Sequence, residues 1–417
     1  MLTSGSTIPA LRAVDSSLAL WREGYLFVTK RCNEIGADAF RTRIMMREVI
    51  FMRGPAAAEQ FYRPGRFTRR AAIPRTALAL LQDWGSVQTL DGEAHHHRKQ
   101  MFMDMMDAAG LGRAISIFRA QWQAALRRAP TRVRLHDLAR EALTYTALLW
   151  CGLPLDRADP KRRTAELAAM IEGAGSFGPG HLRARLMRLS CEAWARGMIE
   201  AIRRDELPLQ DNCPAAQIAL HRDLSGAELA PEVAAVELIN LLRPIVAVAR
   251  YVTFVGHALH VHSNAAEHLA AGAPDAEVEA FVQEVRRYYP FFPMVGGRVL
   301  QPFSWCGHSF GAGDWVLLDL YGTNHHPDAW QDAEVFDPHR FRGWQGDGYG
   351  FIPQGGGGFI TGHRCPGEWL TIGLMVEAVR QLLATHYTVP EQDLRIAMNR
   401  LPALPESGFV MELPPTP

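Results

Sequence analysis

Long charge-free apolar runs, paired cysteines and an excess of either charge are all missing from this 417-residue chain. Lysine plus arginine number 44, and so do aspartate plus glutamate. No net field therefore points to nucleic acid or an anionic membrane as the main partner. The six cysteines, Cys32, Cys151, Cys191, Cys213, Cys306 and Cys365, are scattered without a C-x-x-C pair. That spacing supports neither a disulfide framework nor a zinc site. The first residues, Met1 to Gly5, lack the basic-then-apolar profile of a secretory signal, so a cytoplasmic protein is expected. No repeat, low-complexity tract or linker divides the chain, and one domain over 1–417 is the expectation.

What is present is ample material for a core: 48% hydrophobic residues at a mean hydropathy of -0.09. Residues 40–53 read as a hairpin of short strands, with a short helix from Ala56 to Tyr62. Phe67 to Leu90 is irregular and carries Arg69, Arg70 and Arg75. Helical periodicity runs from His95 to about Arg204, interrupted by small residues at 173–180. Leu207 to Gly226 reads as a polar loop. Pro231 to Val261 is the longest apolar helix and has the length to span a bilayer. Glu237, Asn240, Arg243, Pro244 and Arg250 lie inside it and make that span expensive, so it reads instead as a central core helix. A helix from Asp275 ends before Pro290, residues 294–320 alternate as short strands, and Trp369 to His386 is helical. The expected class is mainly α with small sheets near the two ends of the sequence.

One stretch concentrates chemistry. Phe351 to Glu368 presents Cys365 from a glycine-rich loop, Gly355 to Gly358 and Gly362, just before a helix. Backbone N–H groups there favour negative charge on sulfur, and glycine lets the backbone approach something flat and bulky. A buried structural cysteine on a helix-capping loop is the alternative. Upstream, Glu284 and Arg287 share a helix face at i,i+3 spacing, and Arg340 stands in Asp337-Pro338-His339-Arg340-Phe341.

Glu-x-x-Arg, then Pro-x-Arg-Phe, then a glycine-rich loop with Cys-x-Gly resembles the cytochrome P-450 superfamily of haem-thiolate proteins. The resemblance implies that fold, with haem between the long central helix and the cysteine loop. It makes Cys365 the iron ligand and Glu284, Arg287 and Arg340 a structural ion network. Two departures stand out. Gly358 and Thr361 occupy positions where the family loop carries Phe and Gly. In the central helix, Arg243-Pro244 replaces the acid–alcohol pair that delivers protons in typical members. Proline removes a helical hydrogen bond there, and arginine cannot donate its proton at working pH. An arginine fork suits a carboxylate; paired with Glu237 or turned to the surface, it would be merely structural. Its coincidence with the missing pair favours the carboxylate.

Glu23 to Phe27, Asp91 to Lys99, Glu237 to Ala247, Glu284 to Phe291, Leu318 to His325, Gly362 to Glu368 and Leu404 to Met411 are together similar to one subfamily, the bacterial fatty-acid peroxygenases. What that implies is peroxide-dependent hydroxylation of long-chain fatty acids at the α or β carbon, with haem b as cofactor and no obligatory redox partner. Arg243 and Pro244 would clamp the substrate carboxylate, which itself passes the proton on hydrogen peroxide. Arg69 and His95 would hold the haem propionates, with His363 beside the ligand loop. Gln88 takes the distal position and leans toward hydroxylation. Leu81, Phe291 and Phe292 would line the pocket or serve as ordinary core, and Gln82 stands where relatives carry an aromatic. His95-His96-His97 cannot all face one metal ion from a helix. A partner-dependent monooxygenase or decarboxylase, and a non-catalytic haem or fatty-acid binder, are the competing expectations.

Overall fold

A computed structural model describes residues 8–74, 80–81, 85–176, 178–207, 209, 212–269 and 272–414. Arg75 and Gln82, singled out above, lie outside them. Helices predominate, and the described strands form three small sheets, one of five strands that joins segments from both ends of the sequence and two of two strands. Strands β1 (Ala39–Ile44), β2 (Arg47–Met52), β3 (Phe67–Thr68), β4 (Arg132–Arg134), β5 (Met294–Val299), β6 (Phe303–Trp305), β7 (His308–Phe310), β8 (Trp315–Asp319) and β9 (Val410–Glu412) follow in chain order. The main sheet has the order β1-β2-β8-β5-β3. Its middle joins distant segments: β2 and β8 pair in parallel, Ile50 opposite Val316 and Met52 opposite Leu318. All five residues of β8 are buried, as expected of a strand covered on both faces.

The central helix is Pro231–Val261, with Pro231 at its first turn, where a missing N–H costs nothing. It continues through Pro244 without ending. Proline thus removes one rung of the ladder and leaves the helix intact, because dense packing holds it. Nearly every residue from Ala234 to Ala258 is buried; Pro244 is exposed and Ala247 half-buried. Those two are one turn apart and so share a face. The helices Leu135–Trp150, Pro179–Arg203 and Glu368–Ala384 pack around the rest.

The segment read as a polar loop contains a further helix, Pro214–Leu220. Its Ala215, Ala216, Ile218 and Ala219 are buried, so tertiary packing selects a helix too short to be stable alone. Among the described residues no helix is long and apolar enough to cross a membrane.

Candidate active site

The loop carrying Cys365 is held by backbone geometry and by buried charge. Gly355 (φ +94°) and Gly357 (φ +74°) adopt conformations that side chains disfavour. A Cβ on Gly357 would come within 2.8 Å of Tyr62 Cβ, and one on Gly356 within 2.9 Å of the Tyr62 ring. Tyr62 thus packs against Gly356 and Gly357, on one side of the glycine run. Lys99, from the helix Gly92–Met105, is 1% exposed and donates through Nζ to the carbonyls of Phe359, Gly362 and Arg364. One ammonium thus gathers three carbonyls of the loop. Sequence reasoning missed Lys99, although it stands one turn after His95.

Glu368 anchors the loop from the other end. Arg286 donates to its Oε1 at 2.6 Å, and Arg364 donates to Oε2 at 2.6 Å and Oε1 at 3.1 Å. Burial pushes this carboxyl up, but Arg286 and Arg364 outweigh it and hold it below its ordinary value. Arg286 also donates to Gln354 at 3.0 Å, and Gln354 Nε2 to Thr371 Oγ1 at 3.1 Å. Arg286 and Glu368 likewise escaped notice, being hidden beside the motif residues Arg287 and Cys365.

Burial pushes the Cys365 thiol up to about 11, with Glu368 adding to the shift and Gly367 N–H, Lys99 and Arg286 opposing it. The Gly367 N–H favours the thiolate as the sequence suggests, but burial outweighs it. A coordinated cation would reverse that balance, since metal ligation deprotonates a thiol.

Around His363, two residues before Cys365, gathers a set of basic groups from distant parts of the chain. The His95 and His363 ring centres lie 4.0 Å apart, the rings tilted by 36°. Burial and mutual repulsion with Arg69 and Lys99 lower His95 to about 4 and His363 to about 2. Arg69 donates to the Gly296 carbonyl at 2.7 Å and lies over the Phe61 ring. Among the described residues none of the three forms an ion pair. Such a cluster suits anionic groups, and with a soft sulfur ligand two residues from His363 the donor set fits a haem with its propionates. His96 and His97 turn elsewhere, to the carbonyls of Thr361 (2.7 Å) and Arg222 (2.8 Å).

Arg243 is 7% exposed. Its Nη1 donates to the carbonyls of Leu81 and Leu80, and its Nη2 reaches Asn240 Oδ1 at 3.5 Å. Burial first, and then Arg188, lower it to about 9. Neither structural alternative for it holds. It does not reach the surface, and Glu237 is taken by Arg98 at 2.8 Å and by the Val87 N–H at 2.9 Å. Asn240 Nδ2 bridges Glu237 (3.1 Å) and Gln88 Oε1 (3.2 Å), so one amide touches both distal residues. Leu81 meets Arg243 through its carbonyl. Phe291 stacks on Tyr251 at 4.0 Å, whereas Phe292 is 45% exposed.

Glu284 and Arg287 are both fully buried and joined by two bonds of 2.7 and 2.8 Å. Arg340 Nε lies 3.4 Å from Glu284, and Arg287 also donates to the carbonyls of Asn324, Ala333 and Val335. The three residues stand together, and the Asp337 N–H donates to Glu284 at 2.8 Å.

Against known proteins, the sequence model of the family described as Cytochrome P-450 matches residues 278–395. The curated cytochrome P-450 4A7 of Oryctolagus cuniculus is 30% identical over 135 residues, 32% of this chain and 26% of that protein. The chain thus matches about a quarter of the length of such curated relatives. Solved structures match nearly end to end. Cytochrome P450SP alpha (CYP152B1) is 44% identical with a TM-score of 0.92, over 96% of this chain and 98% of that one. Cytochrome P450EX alpha (CYP152N1), solved with myristic acid, is 39% identical with a TM-score of 0.94, over 98% and 99%.

Proposed function

The chain belongs to the cytochrome P-450 family, and from that premise we propose that it is a hydrogen-peroxide-dependent hydroxylase of long-chain fatty acids. The observation that carries this reading is Arg243: a buried guanidinium in the central helix with no carboxylate partner among the described residues. A buried cation without a counterion is costly, and an incoming carboxylate offsets that cost. Myristic acid in the related P450EX alpha structure matches the ligand chemistry.

Cys365 would ligate the iron of haem b, and Arg69, His95 and His363 would meet its propionates. The bound haem supplies the oxidising chemistry that hydrogen peroxide drives. Arg243 binds and orients the substrate carboxylate, with Asn240 and the Leu80–Leu81 carbonyls setting the direction of its fork. Pro244 leaves the Asn240 carbonyl one turn back without its helical N–H donor. Held by Arg243, the carboxylate oxygen takes a proton from peroxide and returns it to the departing oxygen, as the substrate's own general acid–base. Gln88, fixed through Asn240, faces this exchange as a neutral group. Leu81, Phe291 and Phe292 would border the alkyl chain. The carbon attacked is set by position, because displacements near ~1 Å change rates by about 10²-fold. Glu284, Arg287 and Arg340 hold the loop and take no chemical part. Such an enzyme works in the cytoplasm with peroxide alone and no redox partner.

The test is turnover of a fatty-acid series with hydrogen peroxide and no reductase, with product identification. Arg243→Ala should abolish turnover while the haem stays bound. Undiminished turnover in that variant, or dependence on a reductase, sinks the reading.

A further inference from the structure

Leu80 and Leu81 form a short segment that arginines from two helices grip together. Arg243 donates to both carbonyls from the central helix. Arg188, on the helix Pro179–Arg203, donates through its own Nη1 to the Leu80 carbonyl at 2.8 Å. Arg188 is only 2% exposed, and Glu192, one turn on, accepts from its Nε. The side chain of Leu80 is fixed as firmly as its carbonyl. It is fully buried, and its Cδ1 closes the space above Gly173, where a Cβ would meet it at 3.1 Å and Ala184 Cβ at 2.6 Å. The end of one helix and the start of the next therefore shut around this leucine.

The consequence concerns Arg243. Its guanidinium is aimed by the two carbonyls that it shares with, or borders on, Arg188. If the Leu80 carbonyl shifts, the fork shifts with it, and so does any carboxylate seated there. We propose that Arg188 is a positioning residue for the substrate carboxylate: by pinning the Leu80 carbonyl it sets the direction of Arg243, and with it which carbon is presented for oxidation. This rests on the reading of Arg243 as a carboxylate clamp.

The experiment compares wild type, Arg188→Gln, Arg188→Lys and Arg243→Leu as haem-loaded proteins. Affinity for myristic acid and for 1-tetradecanol is measured by equilibrium dialysis, and the positions hydroxylated with peroxide are determined. Arg188→Gln should weaken myristic acid by about tenfold, the scale of one hydrogen bond to a charged group. It should leave the alcohol nearly unchanged and broaden the product distribution. Arg188→Lys keeps the charge and most of the volume but not the planar fork; it should recover affinity more than product ratio, and it carries the test if the glutamine variant is unstable. Wild-type affinity and product ratio in the Arg188 variants, with binding lost in Arg243→Leu, overturns this proposal alone. Equal weakening of acid and alcohol marks a merely structural effect and also overturns it. Intact myristic acid binding in Arg243→Leu removes the clamp itself, and this proposal with it.

Discussion

Two buried arginines in this protein live in opposite circumstances. Arg287 is fully buried against Glu284, which meets it with both oxygens, and backbone carbonyls take its remaining donors. Arg243 is nearly as buried, yet its partners are two carbonyls and an amide. Glu284 neutralises Arg287, whereas Arg243 has no carboxylate partner among the described residues, and on the proposed reading the substrate carboxylate takes that place.

The comparison can be broken most directly at its structural end. Glu284→Ala leaves Arg287 charged and unpaired, at a cost of ~3–5 kcal/mol; urea denaturation should show it, and a shift under about 1 kcal/mol would mean that Arg340 and the carbonyls suffice. At the other end, Arg243→Leu should lower peroxide-driven fatty-acid turnover by at least about 10²-fold, as when a charge-stabilising donor leaves a buried site. Its stability should hold or rise, because the leucine removes a buried cation that has no counterion among the described residues. A large loss of stability there would erase the distinction. Lys99→Met tests an intermediate case, a buried cation satisfied by carbonyls alone. It should cost ~1–3 kcal/mol through unsatisfied carbonyls and loosen the Cys365 loop, read as faster hydrogen exchange at 359–364.

The smallest effect is a pH dependence. Burial lowers His95 from 6.5 to about 4 in the folded chain. Between those values the unfolded state binds more protons, so stability of the haem-free protein should fall as pH drops from 6.5 toward 4. Above 6.5 this contribution is fully present. A propionate beside His95 would raise its folded value and flatten the profile in the haem-loaded protein. Identical profiles with and without haem would argue against that assignment.

Much of the architecture was legible because its signals are local. The central helix runs from Pro231 to Val261 as its apolar periodicity predicts, and the 294–320 segment forms the short strands that alternation implies. Pro214–Leu220 was not legible, since a seven-residue helix gains its stability from what it packs on rather than from its own pattern. The parallel pairing of β2 with β8, more than two hundred residues apart, was equally out of reach. Glu284 with Arg287 could be read because i,i+3 neighbours on a helix must meet. Lys99 and the Arg286–Glu368 pair could not, because their partners lie tens to hundreds of residues away.

The sequence by itself determined which residue types stand at which helical positions: a cysteine ahead of a helix, an arginine and a proline inside the longest one. Only the tertiary structure decided what those positions mean. It gave Glu237 to Arg98, left Arg243 to backbone carbonyls, and packed Tyr62 into the glycine loop. The physical reason is that a charge's worth depends on its distance to every other charge and on the water removed around it. Both are set by segments far apart in the chain, and no spacing along the sequence encodes them.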